Sequence, residues 1–195
     1  SLRQKQHVSH HRSTVPAVFA EKITLDQHQK AADYTLAKGQ FGRIELMIGL
    51  VVLLAWTLGG GLEWLDQRWR TMGWEPLYTG VAVILSMLLI SSLIDLPASL
   101  YRTFVLEERF GFNKTDLKTL VMDMIKGMAL TLVIGVPLIM LILWLMEFAG
   151  HYWWLYAWGV LTAFSLLMTW AYPKFIAPLF NKFSPLETGE VAERL

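Results

Sequence analysis

The sequence predicts an all-α, polytopic transmembrane helix bundle with four spans, and three observations predict it. First, four long stretches carry no Asp, Glu, Lys or Arg: Leu46–Leu62 (17 residues), Pro76–Ile94 (19), Gly127–Met146 (20) and Phe148–Pro173 (26). A hydrocarbon core about 30 Å thick takes roughly 20 residues of helix at 1.5 Å per residue, so each stretch is close to the length of one span. Second, the chain is 54% hydrophobic and only 17% charged, a membrane-like balance. Third, tryptophans gather at the ends of the apolar runs. Trp64, Trp69 and Trp74 flank the first two, and Trp144, Trp153, Trp154 and Trp170 the last two. An interfacial aromatic belt sits at such positions. Lipid offers the backbone no hydrogen bonds, so the spans are helices. A soluble protein with four buried core helices would need a far larger polar shell than 195 residues supply.

The elements follow in order. Residues 1–22 are polar, with Arg3, Lys5, Arg12 and three histidines, and have no apolar core, so this segment is not expected to be a signal peptide. His7, His10 and His11 have a spacing that suits a metal but no carboxylate beside them, so they read as an exposed polar segment. Thr24 and Gln27 form a capping-box pattern that opens a helix over 24–43, able to extend the first span into the cytoplasm. Residues 63–75 link the first two spans. Asp95 and Pro97 close the second. An ionisable residue there either faces a wet cavity or is solvated by headgroups.

In the 95–126 loop, Gly111 and Asn113 mark a turn, and Thr115 or Asp116 caps a helix that starts near Leu117. Glu107, Glu108 and Arg109 read as a solvated helix end, or else as a docking surface for a soluble domain. Asn113-Lys114-Thr115 fits a glycosylation sequon, but its expected cytoplasmic side argues against use. Pro137 lies mid-span in the third helix, where a kink is expected. The short link Glu147–His151 makes the last two spans an antiparallel hairpin. Pro173–Phe183 reads as a membrane-surface connector that cannot stay in one long helix. Ser184-Pro185-Leu186-Glu187 is a helix start. The expectation is therefore a cytoplasmic segment over 1–43, a transmembrane region over 44–173, and a connector over 174–195 that leads through a truncated helix to a missing domain.

Charge sets the topology. Fifteen of the 17 Lys and Arg residues lie in 1–43, 95–126 and 174–195, and two, Arg68 and Arg70, lie in 63–75. The positive-inside rule places the three rich segments in the cytoplasm. No basic stripe suits a nucleic acid. The chain has no Cys, so thiolate chemistry is excluded. A zinc peptidase usually carries His-Glu-x-x-His on a helix, and this sequence has no such pattern. No catalytic, cofactor-binding or metal-binding residue is assigned.

The loop from Tyr101 to Thr115, YRTFVLEERFGFNKT, resembles the signature loop of the CAAX prenyl protease 1 family, the integral-membrane zinc metallopeptidases. Arg3-Gln4, His7-Val8, His11-Arg12 and Val15-Pro16 resemble that family's first cytoplasmic loop. His28-Gln-Lys-Ala-Ala-Asp-Tyr-Thr35 follows in the expected place, Asp95-Leu-Pro97 precedes the signature loop, and 173–187 resembles the connector before the protease domain.

The resemblance implies an N-terminal membrane domain that walls a chamber, its four spans being the second to fifth of seven. The first span and the C-terminal catalytic domain would be missing partners, and the zinc ligands and catalytic Glu would lie beyond Leu195. No catalytic role carries over to this chain. Asp95, Glu107, Glu108, Arg109 and Asn113 are expected to serve interdomain or structural roles. The expected partners are the lipid bilayer and a membrane-associated or CAAX-type protein substrate. A bacterial inner membrane is the expected location. A non-catalytic membrane scaffold or transporter subunit stays open as the alternative.

The absence of native cysteine gives clean probes of topology. An impermeant thiol reagent applied to the outer face should label Thr71→Cys and leave Thr115→Cys unlabelled. The reverse pattern would invert the topology.

Overall fold

The computed structural model describes residues 2–16, 19 and 21–181. All the regular structure among them is helical. The helices are α1 (Leu2–His10), α2 (Leu25–Thr57), α3 (Gly61–Arg70), α4 (Pro76–Glu107), α5 (Leu117–Phe148) and α6 (Gly150–Phe180). Four of these, α2, α4, α5 and α6, are long and apolar enough to cross a membrane. Their apolar side chains are largely exposed: Leu46, Val51, Val133 and Leu166 each present more than 60% of their surface. A helix apolar all round and unburied in protein needs lipid as its solvent.

The chain divides into two compact units, 1–115 and 116–195. In the first, Thr24 caps α2 with the reciprocal Gln27 bonds of a capping box. The pre-span helix and the first span prove to be one continuous helix of 33 residues. The first apolar run, Leu46–Leu62, is not a single span, because α2 stops at Thr57. Gly59, Gly60 and Gly61 explain the stop. Gly60 takes φ +76°, a left-handed conformation that L side chains rarely adopt, and a Cβ on Gly59 would lie 2.7 Å from the Ala55 carbonyl oxygen. At its other end the helix extends beyond the apolar run, through the polar stretch back to Leu25. The link that follows is not a plain loop. It contains α3, whose Leu65 is buried and whose Trp64 is exposed.

Helices α2 and α4 run antiparallel in a fixed register. Trp56 Nε1 donates to Ser91 Oγ at 2.9 Å near one end, and Arg102 pairs with Glu45 near the other. The same eleven-residue step separates Glu45 from Trp56 and Ser91 from Arg102. Trp69 Nε1 donates to Ser86 Oγ at 2.9 Å, which ties α3 to α4.

In the second unit α5 and α6 form the expected antiparallel hairpin, joined at Ala149. Lys126 Nζ donates to the Leu179 carbonyl at 2.7 Å and lies 5.5 Å from the Phe180 ring centre, so the start of α5 meets the end of α6. A cation on the last carbonyls of a helix satisfies orphan acceptors and complements the helix dipole.

None of the internal prolines Pro97, Pro137, Pro173 and Pro178 breaks its helix. The turn Thr131–Gly135 widens to a π-helix, and Val136 N–H reaches back five residues to Thr131 just before Pro137. The turn Tyr172–Ile176 does the same, and Ala177 N–H reaches Tyr172 just before Pro178. The wider turn makes room for a ring that has no N–H to donate. The tail therefore departs from its expected form: α6 continues through Pro173 to Phe180 and stops at Asn181. The helix start expected at Ser184 lies outside the described residues.

Asp116 caps α5, its Oδ1 accepting from Thr119 N–H at 2.8 Å. Hydrogen bonds from Thr119, its side chain first and its backbone second, hold the Asp116 carboxyl below the usual carboxylate range. A depressed folded value means that the cap stabilises fully above the unfolded value, about pH 4, and is lost as pH falls through the folded one. Protection of the Thr119 amide, corrected for intrinsic exchange, should therefore drop on acidification below pH 4. Asp116→Asn should keep its protection at all pH, and Asp116→Ala should lack it throughout. Hydrogen exchange followed by mass spectrometry checks this, and a pH-independent wild type would refute the cap's ionic character.

Candidate functional site

The residues with chemistry to offer in the first unit gather on two neighbouring features: a polar platform built on the N-terminal half of α2, and a groove beside it between α2 and α4. The platform begins with α1. His11 Nδ1–H donates to the His7 carbonyl at 2.9 Å, and the two rings lie 4.3 Å apart. His28 of α2 donates from Nε2 to the His11 carbonyl at 2.9 Å. Arg12 then clamps Asp33 with two bonds, Nε to Oδ1 at 2.6 Å and Nη2 to Oδ2 at 2.7 Å. The planar fork of Arg matches a carboxylate in this way and fixes orientation as well as distance. The segment after α1 is thereby pinned one turn and two turns into α2.

The loop after α4 docks on the same helix. Tyr34 sits beside both Phe110, centroids 5.5 Å apart, and Phe112, 4.6 Å apart. Gly111 takes φ +72° in the turn between them, closed by Gly111 N–H to the Glu108 carbonyl and Phe112 N–H to the Glu107 carbonyl, each 2.9 Å. Asn113 spans the exit: its amide donates to Glu108 Oε2 at 2.9 Å, and its Oδ1 accepts from Thr115 N–H at 2.8 Å. Lys30 lies close by, its Nζ 3.6 Å from where a Cβ on Gly111 would stand.

The sequence-predicted residues thus have definite places. Glu107 and Glu108 shape the turn through their carbonyls, Asn113 locks it, and Arg109 leans over Phe110 at 5.8 Å. Asp95 is on the groove instead. It lines a cleft of about 360 Å³ with Glu45, Ile48, Gly49, Ala98, Ser99 and Arg102. The Glu45–Arg102 pair crosses that cleft, while Asp95 makes no ion pair among the described residues. Arg12, Asp33, Tyr34, Glu45 and Arg102 are the members that sequence reasoning did not single out. Opposite charges beyond the adjoining ends of the first two apolar runs, Glu45 and Arg102, were the available signal.

The contacts seen in the platform and the groove hold and orient side chains. Among the described residues no group of three or more His, Asp or Glu is placed to hold a metal ion. The zinc that the resemblance implies finds no ligand set in these residues, and no step is assigned through it.

Comparison with known proteins gives a consistent picture. The family model described as CAAX prenyl protease N-terminal, five membrane helices, matches residues 4–182. A CAAX prenyl protease 1 homolog of Arabidopsis thaliana is 33% identical over 193 residues, which cover 93% of this chain and 45% of the relative. The Mus musculus homolog is 33% identical over 206 residues, covering 100% of this chain and 42% of the relative. The crystal structure of S. mikatae Ste24p superposes with a TM-score of 0.79 at 28% identity, covering 99% of this chain and 48% of that one. The chain spans less than half the length of these proteins.

The Glu45–Arg102 pair should couple. Its side chains are 23% and 43% exposed, so water screens it in part. Glu45→Gln or Arg102→Gln alone should each cost roughly 1–2 kcal/mol of stability, because each leaves a charge unmatched. The double variant should cost less than their sum by about 1 kcal/mol. Unfolding of the detergent-solubilised protein measures this. Strict additivity would mean the two residues do not interact.

Proposed function

The chain belongs to the CAAX prenyl protease N-terminal family, and we propose that it forms the chamber-wall portion of a membrane zinc endopeptidase. The observation that carries this reading is the family match across residues 4–182, which takes in both the platform and the groove. In the proposed assembly, the remaining part of the protein binds the zinc and cleaves the peptide, and residues 1–195 limit access and position the chain to be cut. The polar platform suits a docking role for that part. Glu107, Glu108, Arg109 and Asn113 stand on a turn that Tyr34, Phe110 and Phe112 already hold rigid. Charged groups on a preorganised turn lose little freedom when a partner settles on them.

The proposed substrates are membrane-associated proteins, with CAAX-type chains first among them because the named relatives are CAAX prenyl proteases. A multi-pass integral membrane protein follows from the four spans and the family. Its proposed orientation, with 1–43, 95–126 and 174–195 in the cytoplasm, rests on the charge division alone. A bacterial inner membrane has less support, since the named relatives are eukaryotic.

The full gene product that carries residues 1–195, purified in detergent, should cleave a farnesylated peptide ending in a CAAX box, and a chelator should stop it. Residues 1–195 alone should show no chelator-sensitive turnover. Turnover by a clean preparation of the 195-residue chain would overturn the division of labour. An inert but folded full product would favour a scaffold or transporter subunit.

A further inference from the structure

A second groove lies on the other side of the α2–α4 seam, and its lining says what occupies it. It measures about 510 Å³, and its walls are Ile44, Met47, Ile48, Val51, Val52 and Ile94, with Arg43 at one end. Every wall residue is aliphatic or a thioether. We propose that this groove binds one anionic phospholipid, its phosphate on Arg43 and one acyl chain along the wall.

Three features argue for that occupant. The first is length. Nine residues separate Arg43 from Val52, about 13.5 Å of helix at 1.5 Å each. One leaflet of a hydrocarbon core about 30 Å thick is close to that depth. The groove is therefore as deep as an acyl chain is long, with its polar end at the headgroup level. The second is charge. Arg43 is exposed and makes no ion pair among the described residues. Its neighbours in the same region are engaged: Glu45 neutralises Arg102, and Lys38 lies over the Tyr34 ring at 5.5 Å. A phosphate without its own cation is the complement. A choline headgroup would bring a second positive charge beside the guanidinium. The third is sidedness. Arg43 ends the Lys- and Arg-rich segment 1–43, and the cytoplasmic leaflet is the anionic one.

The 195-residue chain tests this directly. Purified into mixed micelles with equal phosphatidylglycerol and phosphatidylcholine of the same acyl chains, it should retain one phosphatidylglycerol preferentially in native mass spectrometry. Arg43→Gln should lower that preference about fivefold, the factor that one basic side chain contributes at an anionic surface. Arg68→Gln, a cation on α3, should leave it unchanged. Val51→Phe, which fills the groove, should weaken retention of both lipids. Phosphatidylglycerol with a photoreactive group on its acyl chain supplies a readout that needs no variant, and it should crosslink to Val51 or Ile94. Equal retention of the two lipids by the wild type would overturn the proposal. So would unchanged retention in Arg43→Gln, an equal loss in Arg68→Gln, or crosslinks confined to other helices. None of these outcomes depends on protease activity.

Discussion

Everything in this molecule answers to one constraint: the bilayer core gives a backbone amide or carbonyl nothing to bond to. A helix that must cross it cannot simply be interrupted. Two of the three π turns among the described residues, Thr131–Gly135 and Tyr172–Ile176, show how the chain obeys. Val136 and Ala177 each reach back five residues just before a proline, so the chain swells by a fraction of a turn rather than break. Where the helix does stop, at Thr57, it does so beside three glycines and the amphipathic α3, where water or headgroups can take over the freed groups. The contrast between Pro137 and Gly60 is one of surroundings as much as of residue type.

With lipid as solvent, burial of apolar surface between helices contributes little to holding them together, because the tails are as apolar as the side chains. The described residues include only a handful of buried side chains, among them Thr79, Val81 and Ala157. Polar contacts therefore matter more than their number suggests. In the first unit these are an indole on a serine, a second indole on another serine, and a carboxylate on a guanidinium. In the second, a lysine on a terminal carbonyl closes the hairpin. All are specific in direction, which suits them to fix register.

Much of this was legible in the sequence, and what was not had a physical reason. Four spans, the Thr24–Gln27 capping box, the Asp116 cap and the Asn113 turn are local features, readable from spacing over a few residues. Helix α3 was read as a link because ten residues with Glu63, Asp66, Arg68 and Arg70 look like a loop beside long apolar runs. The tail was misread because a proline was taken to end a helix, whereas the π turn Tyr172–Ile176 carries the helix through Pro173 and up to Pro178. The pairs Arg12–Asp33, Tyr34–Phe110 and Glu45–Arg102 join positions 21 to 76 residues apart, and no periodicity reports such contacts. The resemblance to a family signature marked the loop from Tyr101 to Thr115 without revealing that Tyr34 is its anchor.

The register of α2 against α4 has a mechanical consequence. Eleven residues make just over three whole turns, so Trp56 and Glu45 look out from the same side of α2, and Ser91 and Arg102 from the same side of α4. The two helices are bolted at two points along one straight line. Twisting either about its axis, or sliding it by one residue, pulls both bolts out of line together. The pair thus resists torsion as a beam does, and a movement imposed by α3 at one end would arrive at the other, where Asp95 and Arg102 stand, as a displacement of the whole pair rather than a bend.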